Sequence, residues 1–154
     1  MKKVEILVAY HKPSPIIENE CLTPIQVGRA CSDFVLNMNG DDTGDNISEK
    51  NFGYAEITAI YWLWKNSNAD IKGLFHYRRF LDLKHPYFSK AQRENSEAFY
   101  TLDIGDKLSS KALLAKLGLD KKNILSLMDE YEIICSKKED VRKWSINKVE
   151  KHYK

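Results

Sequence analysis

The chain has 154 residues, 24 of them basic and 22 acidic, which gives a formal net charge of +2. This length suits a single domain, and the near balance of charge argues against a polycation or a dedicated binder of duplex DNA. Apolar residues make up 43% of the chain and charged residues 30%, as in a globular protein rather than a disordered one. We therefore predict one domain over residues 1–154 that does not bind nucleic acid.

No apolar run approaches the ~20 residues that a membrane-spanning helix requires, and no signal-peptide core precedes a cleavage site. The three cysteines are odd in number and form no CxxC pair, so neither a disulfide framework nor a zinc site is indicated. We expect a cytoplasmic protein. Residues 107–154 carry 12 basic and 7 acidic residues. This excess would suit the inner face of the cell membrane, although a solvated helical face explains it equally well.

In chain order, the first predicted element is a buried strand from Val4 to Ala9, because this run is short and rich in branched aliphatic residues. Residues 13–46 show no sustained period and contain several prolines and glycines, which predicts a long, irregular and functional segment. Ser48 is typical of a helix N-cap. The period over residues 49–66 predicts one helix that is apolar on nearly all sides and therefore deeply buried.

Further strands are predicted from Ile71 to Tyr77 and from Tyr131 to Cys135. Between them the pattern predicts two short helices, one ending at Gly118 and one capped by Asp120, and residues 139–154 are expected to be helical. Strands that alternate with helices predict an α/β fold with a largely parallel sheet. Such sheets bind ligands beyond the carboxyl ends of their strands. The residues in that position are Tyr10, His11, Lys12, His76, Tyr77, Arg78 and Arg79.

The segment from His76 to Arg79 is the most informative. If it is extended, His76 and Arg78 point to one side of the sheet and Tyr77 and Arg79 to the other. Guanidinium groups suit diphosphates because they stay charged and donate a fork of hydrogen bonds. One arginine would then reach a ligand while the other pairs with a carboxylate. A surface pair of arginines beside a core tyrosine is the competing interpretation.

The segment from Gly40 to Asn46 contains three carboxylates and an amide. Oxygen ligands of this kind are preferred by Mg²⁺ and Mn²⁺, which makes Asp41 and Asp42 candidate metal ligands. A turn rich in Asp and Asn, leading into the next helix, is the competing explanation.

Glu56 interrupts the apolar stripe of the helix predicted over residues 49–66. A buried carboxylate is costly unless it is paired, so we expect it to pair with Arg78 or Arg79. Such a pair would be either structural or part of a catalytic base.

Five segments occur in a characteristic order: Ile25 to Gly28, Gly40 to Ser48, Lys50-Asn51, Glu56 to Asn66 and His76 to Arg79. Together they resemble the bacterial DUF4422 family of capsular and exopolysaccharide biosynthesis proteins, which is similar to glycosyltransferases of the GT-A type. The likeness is strongest over residues 4–81. It implies a GT-A-like, Rossmann-like sandwich that transfers a sugar from a nucleotide-sugar donor, a UDP-sugar, to a saccharide or lipid-linked acceptor.

The resemblance also implies roles for individual residues. Arg78 and Arg79 would neutralise the leaving diphosphate, and Glu56 or Asp45 would act as organiser or base. The implied substrate contacts are Tyr10, His11, Lys12, Asn46, His76 and Tyr77. No organic cofactor is expected.

GT-A enzymes commonly carry an Asp-x-Asp metal motif where this chain has His76 to Arg79. The resemblance therefore leaves two possibilities: the acidic turn from Asp41 to Asp45 holds Mg²⁺ or Mn²⁺, or the arginines act without metal. Family members usually continue further, so we expect this chain to be the N-terminal part of the family domain. A non-catalytic nucleotide-binding or sugar-binding module is the alternative function.

Overall fold

The computed structural model describes residues 2–84, 100–101 and 110–136. Its centre is a six-stranded sheet in the order β3-β2-β1-β4-β5-β6. The strands are β1 Val4–Tyr10, β2 Leu22–Gln26, β3 Asn39–Gly40, β4 Ile71–His76, β5 Arg79–Phe80 and β6 Tyr100–Thr101. The first four strands run parallel, whereas β5 and β6 add to the sheet antiparallel. The predicted α/β fold with a mostly parallel sheet is confirmed.

Helices lie on both sides of this sheet. They are α1 Asn51–Tyr54, α2 Ile57–Asn66, α3 Ser110–Leu117 and α4 Lys121–Glu130. Short 3₁₀ turns add Arg29–Cys31 and Ser48–Lys50. Because both faces are covered, β1 is apolar throughout its centre. Val8 packs in a cluster with residues of α3 and α4, and Leu7 packs with α2 on the opposite face.

The ends of α3 and α4 agree with the sequence analysis. Gly118 follows α3 with φ of 65°, a left-handed conformation that glycine adopts readily. The Asp120 carboxylate accepts a hydrogen bond from the Asn123 N–H at 3.0 Å and caps α4. The predicted strand from Tyr131 to Cys135 is wrong, because the chain is irregular after α4. The helix expected over residues 139–154 lies outside the described residues.

β2 lies within residues 13–46, which the sequence predicted to be irregular. The sequence analysis did not predict β2 because the segment contains Pro24, and proline has no N–H for a strand ladder. Cys21 and Val27 flank β2, and the Cys21 carbonyl and the Val27 N–H both form hydrogen bonds with β1. The backbone groups of the odd-numbered residues between them therefore face β1. The Pro24 nitrogen therefore faces away from β1, and the central ladder loses no hydrogen bond. β2 consequently sits beside the middle of the sheet despite its proline.

The single helix predicted over residues 49–66 is also corrected. Ala55 has φ of 47° and ends α1, so that α2 starts two residues later. Ser48 makes no capping bond with its side chain and instead begins a 3₁₀ turn. The helix is not deeply buried on all sides either. Its large exposed side chains are Phe52, Tyr54, Ile57, Ile60 and Trp64.

Candidate active site

The strand order reverses at β1. The chain passes from β1 to β2 and β3 on one side, and then returns to β4 on the other side of β1. The crevice beyond the carboxyl ends of the strands at such a reversal is the usual ligand position in open α/β sheets. Ala9 of β1 is in register with His76 of β4. The two segments that follow, starting at Tyr10 and at Tyr77, therefore lie side by side at this edge.

His76 to Arg79 forms a tight turn and is not extended. His76 pairs with Arg79 across the antiparallel β4–β5 ladder, and Tyr77 and Arg78 are the turn residues between them. Directly opposed residues of an antiparallel pair place their side chains on the same face. His76 therefore shares a face of the sheet with Arg79. In an extended segment it would have shared that face with Arg78.

Glu56 reaches the same edge from the start of α2. Its Oε1 atom lies 3.6 Å from Nε2 of His76, and the two side chains are 40% and 12% exposed. The His11 ring is 5.8 Å from the His76 ring, centroid to centroid. One nitrogen or oxygen atom from each of His11, Glu56 and His76 lies within 4.8 Å of the others. The sequence predicted a partner for Glu56, but not that this partner would be an imidazole.

Both imidazoles are predominantly neutral at neutral pH. Burial lowers the pKa of His76 to about 4, and the opposing attraction of Glu56 is the weaker influence. Burial likewise lowers the pKa of His11, and the charges of Lys12 and Arg78 lower it further. Nδ1 of His76 accepts a hydrogen bond from the Arg78 N–H at 3.2 Å. The edge thus combines neutral imidazoles with fixed cations, an arrangement that attracts anionic ligands.

Two polar groups at this edge have no hydrogen-bond partner among the described residues. They are Nε of Arg78 and the hydroxyl of Tyr77, both buried. The Arg78 guanidinium lies over the Tyr77 ring, 5.2 Å from its centroid. Buried polar groups without partners are rare and are found at functional sites. Arg78 therefore has donor capacity at the position where a ligand is expected.

Tyr10 belongs to the core, so the expectation that it contacts substrate is corrected. It is fully buried, and its hydroxyl donates to the Pro15 carbonyl at 3.1 Å and accepts from the Ile17 N–H at 2.9 Å. Burial raises the pKa of Tyr10 to about 12. Its ring stacks on Tyr77 at 5.6 Å. Tyr77 is only 1% exposed, so its ring also supports the site rather than lining it. Lys12 is exposed beside His11.

Asp41 is a structural residue. It is fully buried, and its two oxygens accept hydrogen bonds from four donors: the N–H groups of Gly28 and Arg29 and the hydroxyls of Ser48 and Thr58. These donors join the end of β2 to α2. The expectation that Asp41 binds a metal ion is corrected, because its carboxylate is saturated.

The other residues of the acidic turn lie apart from the three-residue cluster. Asp42 forms an ion pair with Arg29 at 2.7 Å, in place of the predicted metal. Asp45 accepts from the Tyr61 hydroxyl at 2.9 Å and faces Lys65 at 3.7 Å. With a rise of about 1.5 Å per residue, these partners lie roughly 8 and 14 Å along α2 from Glu56. The structure does not bring Asp45 together with Glu56.

Asn46 closes its own turn. Its side chain donates to the Gly44 carbonyl at 3.0 Å and accepts from the Ser48 N–H at 3.1 Å. This is an Asx-type turn of the kind that the sequence analysis kept as the competing explanation. Asn46 therefore orders the loop.

The mostly parallel sheet, its reversal at β1 and the polar cluster at the carboxyl edge define a GT-A-like α/β domain. The chain belongs to the family described as "Domain of unknown function (DUF4422)", whose model matches residues 5–154. The likeness noted over residues 4–81 thus extends through the rest of the sequence.

A solved structure of a bifunctional glycosyltransferase, WbbM, in its apo form, is similar to this chain. The identity is 33%, the TM-score is 0.64, and the match covers 82% of this chain and 21% of that one. The chain therefore spans about a fifth of the length of that enzyme. No curated protein matches the sequence significantly. Among the described residues, no helix has the length and apolar character needed to cross a membrane.

Proposed function

We propose that this domain transfers a sugar from a nucleotide-sugar donor, a UDP-sugar, to a saccharide or lipid-linked acceptor. The similarity to a glycosyltransferase supports the reaction class. The observation that carries the proposal is the position of Arg78, whose buried Nε is unpartnered among the described residues, at the reversal of the sheet beside two neutral imidazoles. From the family likeness we assign the reaction to capsule or exopolysaccharide synthesis, in the cytoplasm or at the inner face of the membrane.

In this reaction the acceptor oxygen bonds to the anomeric carbon of the sugar. The bond from that carbon to the diphosphate breaks, its electron pair leaves with the nucleoside diphosphate, and the acceptor hydroxyl loses its proton to water. Negative charge develops on the departing diphosphate, and preorganised cations lower the barrier by stabilising it. Arg78 and Arg79 perform this role in the proposal, because both act electrostatically on His76 at the carboxyl edge.

The remaining cluster residues position the donor. His11, Lys12 and His76 contact the diphosphate side of the ligand. Of the two roles that the sequence left open for Glu56, we assign that of organiser, since its carboxylate faces Nε2 of His76. Asp45 has no part in the proposal because it contacts the second half of α2.

Divalent metal is a frequent cofactor of GT-A-like enzymes, and the residues present fit one. His11, Glu56 and His76 would hold it, because they offer three ligand atoms within 4.8 Å of one another. Such an ion neutralises charge on a diphosphate when it is bound.

Replacing Arg78 with alanine tests the proposal. We expect Arg78→Ala to lower kcat for UDP release from a panel of UDP-sugars by about 100-fold or more, as for the loss of one preorganised donor to a developing charge. Circular dichroism should be unchanged, because Arg78 lies in a turn outside the strands and helices. Lys72→Ala is the matched control, since Lys72 is an exposed cation of β4, the strand that precedes Arg78. Equal turnover in the two variants would refute the role of Arg78.

A nucleotide-binding module without turnover is the second candidate. The observation that favours it is coverage, because the chain corresponds to 21% of the length of the similar enzyme. Calorimetry with UDP and the turnover assay separate the two candidates. UDP binding without release of sugar would favour the module, whereas binding with turnover supports the transferase.

A further inference from the structure

We propose that His11, Glu56 and His76 form a binding site for one divalent first-row transition-metal ion, in preference to Mg²⁺ or Ca²⁺. The three residues come from the end of β1, the start of α2 and the end of β4. The inference deepens the proposed function, but the metal site itself does not depend on that function. Only the further step, in which the bound ion contacts a diphosphate, rests on the proposed function.

Half of the site is already formed. Nε2 of His76 and Oε1 of Glu56 are 3.6 Å apart, which is too far for a hydrogen bond. Two ligands about 2.1 Å from a tetrahedral ion lie roughly 3.4 Å from each other. Within the described part of the chain, the Glu56 carboxylate accepts no hydrogen bond. The separation is therefore that of two ligands that share an ion.

His11 completes the set. Its ligand atom lies within 4.8 Å of those of the other two residues, so closure onto an ion requires a movement of at most about 1.4 Å. The residue is exposed, and its ring rests edge-on against the buried Tyr77 at 5.3 Å between centroids. Because the residue is exposed, side-chain rotation can make this adjustment, although the ring also lies 5.8 Å from the His76 ring.

The side chains of the cluster also suit a metal. A metal ligand must offer a lone pair, and an imidazole offers one on the ring nitrogen that carries no proton. Binding through Nε2 of His76 places the ring proton on Nδ1, which now accepts from the Arg78 N–H at 3.2 Å. Metal binding therefore breaks this long hydrogen bond, and the Arg78 amide should report it.

The donor set selects the class of ion. Two imidazole nitrogens and one carboxylate oxygen suit Fe²⁺, Co²⁺ or Zn²⁺ and are also accepted by Mn²⁺, whereas Mg²⁺ and Ca²⁺ prefer oxygen ligands throughout. The acidic turn does not compete, because Asp41 is saturated and Asp42 is paired with Arg29. Lys12, Arg78 and Arg79 carry positive charge beside the cluster and weaken binding of a bare cation. An anion such as the UDP diphosphate offsets these charges, so UDP should tighten metal binding.

Titration of the purified chain with Mn²⁺, Co²⁺ and Mg²⁺ in the absence of nucleotide tests the site. We expect one Mn²⁺ or Co²⁺ per chain, with Mg²⁺ bound more weakly. Glu56→Gln and His11→Ala should each weaken binding at least about 10-fold, since even the partners of metal ligands contribute that much. Asp45→Asn, at an exposed carboxylate of the acidic turn, should bind as tightly as the native chain. A shift of the Arg78 amide resonance on Zn²⁺ addition is expected as well.

Absence of binding would overturn the site, as would equal affinity in the native chain and in both cluster variants. Weaker binding in Asp45→Asn alone would move the site to the acidic turn. Because His11 is exposed, His11→Ala keeps the test valid even if Glu56→Gln fails to fold. Metal binding without release of UDP from UDP-sugars would leave the metal site standing and count against the proposed transferase. Turnover that is insensitive to metal and to His11→Ala would leave the proposed transferase standing and count against the metal site.

Discussion

Asp41 shows how a single residue can look functional in the sequence and be structural in the fold. It sits in an acidic, glycine-rich segment that is typical of cation binding. In the structure it is fully buried and accepts hydrogen bonds from Gly28 and Arg29 at the end of β2 and from Ser48 and Thr58 nearer α2. Removing an acceptor from buried donors costs more than the bonds themselves contribute, because the donors are left without water.

Asp41→Asn should lower the free energy of unfolding by about 3 kcal/mol, because an amide keeps one acceptor oxygen and turns an NH₂ group toward the remaining donors. Urea unfolding of the native and variant chains measures the difference. Asp45→Asn is the control, since Asp45 is exposed, and its stability should stay close to native. Similar losses in both variants would show that the network around Asp41 contributes little.

The element that most affects the site is the break between α1 and α2. Ala55 has φ of 47° and ψ of −131°, a conformation that glycine tolerates and other residues adopt only with strain. The Asn51 side-chain amide donates to the Ala55 carbonyl at 2.8 Å. The break places Glu56 at the start of α2, facing His76. Backbone strain beside the cluster is thus held in part by the hydrogen bond from the Asn51 side chain.

Ala55→Gly should raise the free energy of unfolding by about 1 kcal/mol, because relief of strain exceeds the added entropy of the unfolded chain. Ala115→Gly, at an exposed position within α3, should lower it by about 1 kcal/mol, since no strain is relieved there. Thermal unfolding of the two variants measures both changes. A loss of stability in Ala55→Gly comparable with that in Ala115→Gly would show that Ala55 is not strained.

The same scale explains several sequence errors. The apolar period over residues 49–66 continues through the break at Ala55, because periodicity does not register one unusual backbone angle. Pro24 conceals β2, since local rules do not reveal which side of a strand its missing N–H faces. The apolar run from Tyr131 to Cys135 has the composition of a strand, but the described residues give it no strand partner.

At the scale of the whole molecule, the reversal of strand order at β1 gathers residues that are far apart in the chain. His11, Glu56 and His76 meet because β4 returns beside β1 and α2 begins at the same edge. Arg78 and Arg79 follow β4 and add fixed positive charge. The proposed ligand therefore binds to three elements at once, and it should stabilise the fold as a unit.

UDP should raise the melting temperature of the chain. At a concentration of about 100 Kd, a ligand of the native state adds about 2.7 kcal/mol, which corresponds to roughly 5–10 °C for a chain of this size. Differential scanning fluorimetry measures the shift. Uridine is the matched control, because it lacks the diphosphate and should give a much smaller shift. Equal shifts for UDP and uridine would contradict recognition of the diphosphate by the arginines.

The sequence by itself determined the features that depend on neighbouring residues. It placed β1 and β4, the Asp120 cap of α4 and the Gly118 end of α3, and its motifs identified the family. It also pointed to the segments after β1 and β4, because the rule about carboxyl ends needs only the order of strands and helices. The tertiary structure alone decided that Asp41 is structural and that Glu56 faces His76. These contacts join residues that are between 7 and 20 positions apart in the chain and belong to different elements of the fold. No local sequence pattern encodes contacts over such separations.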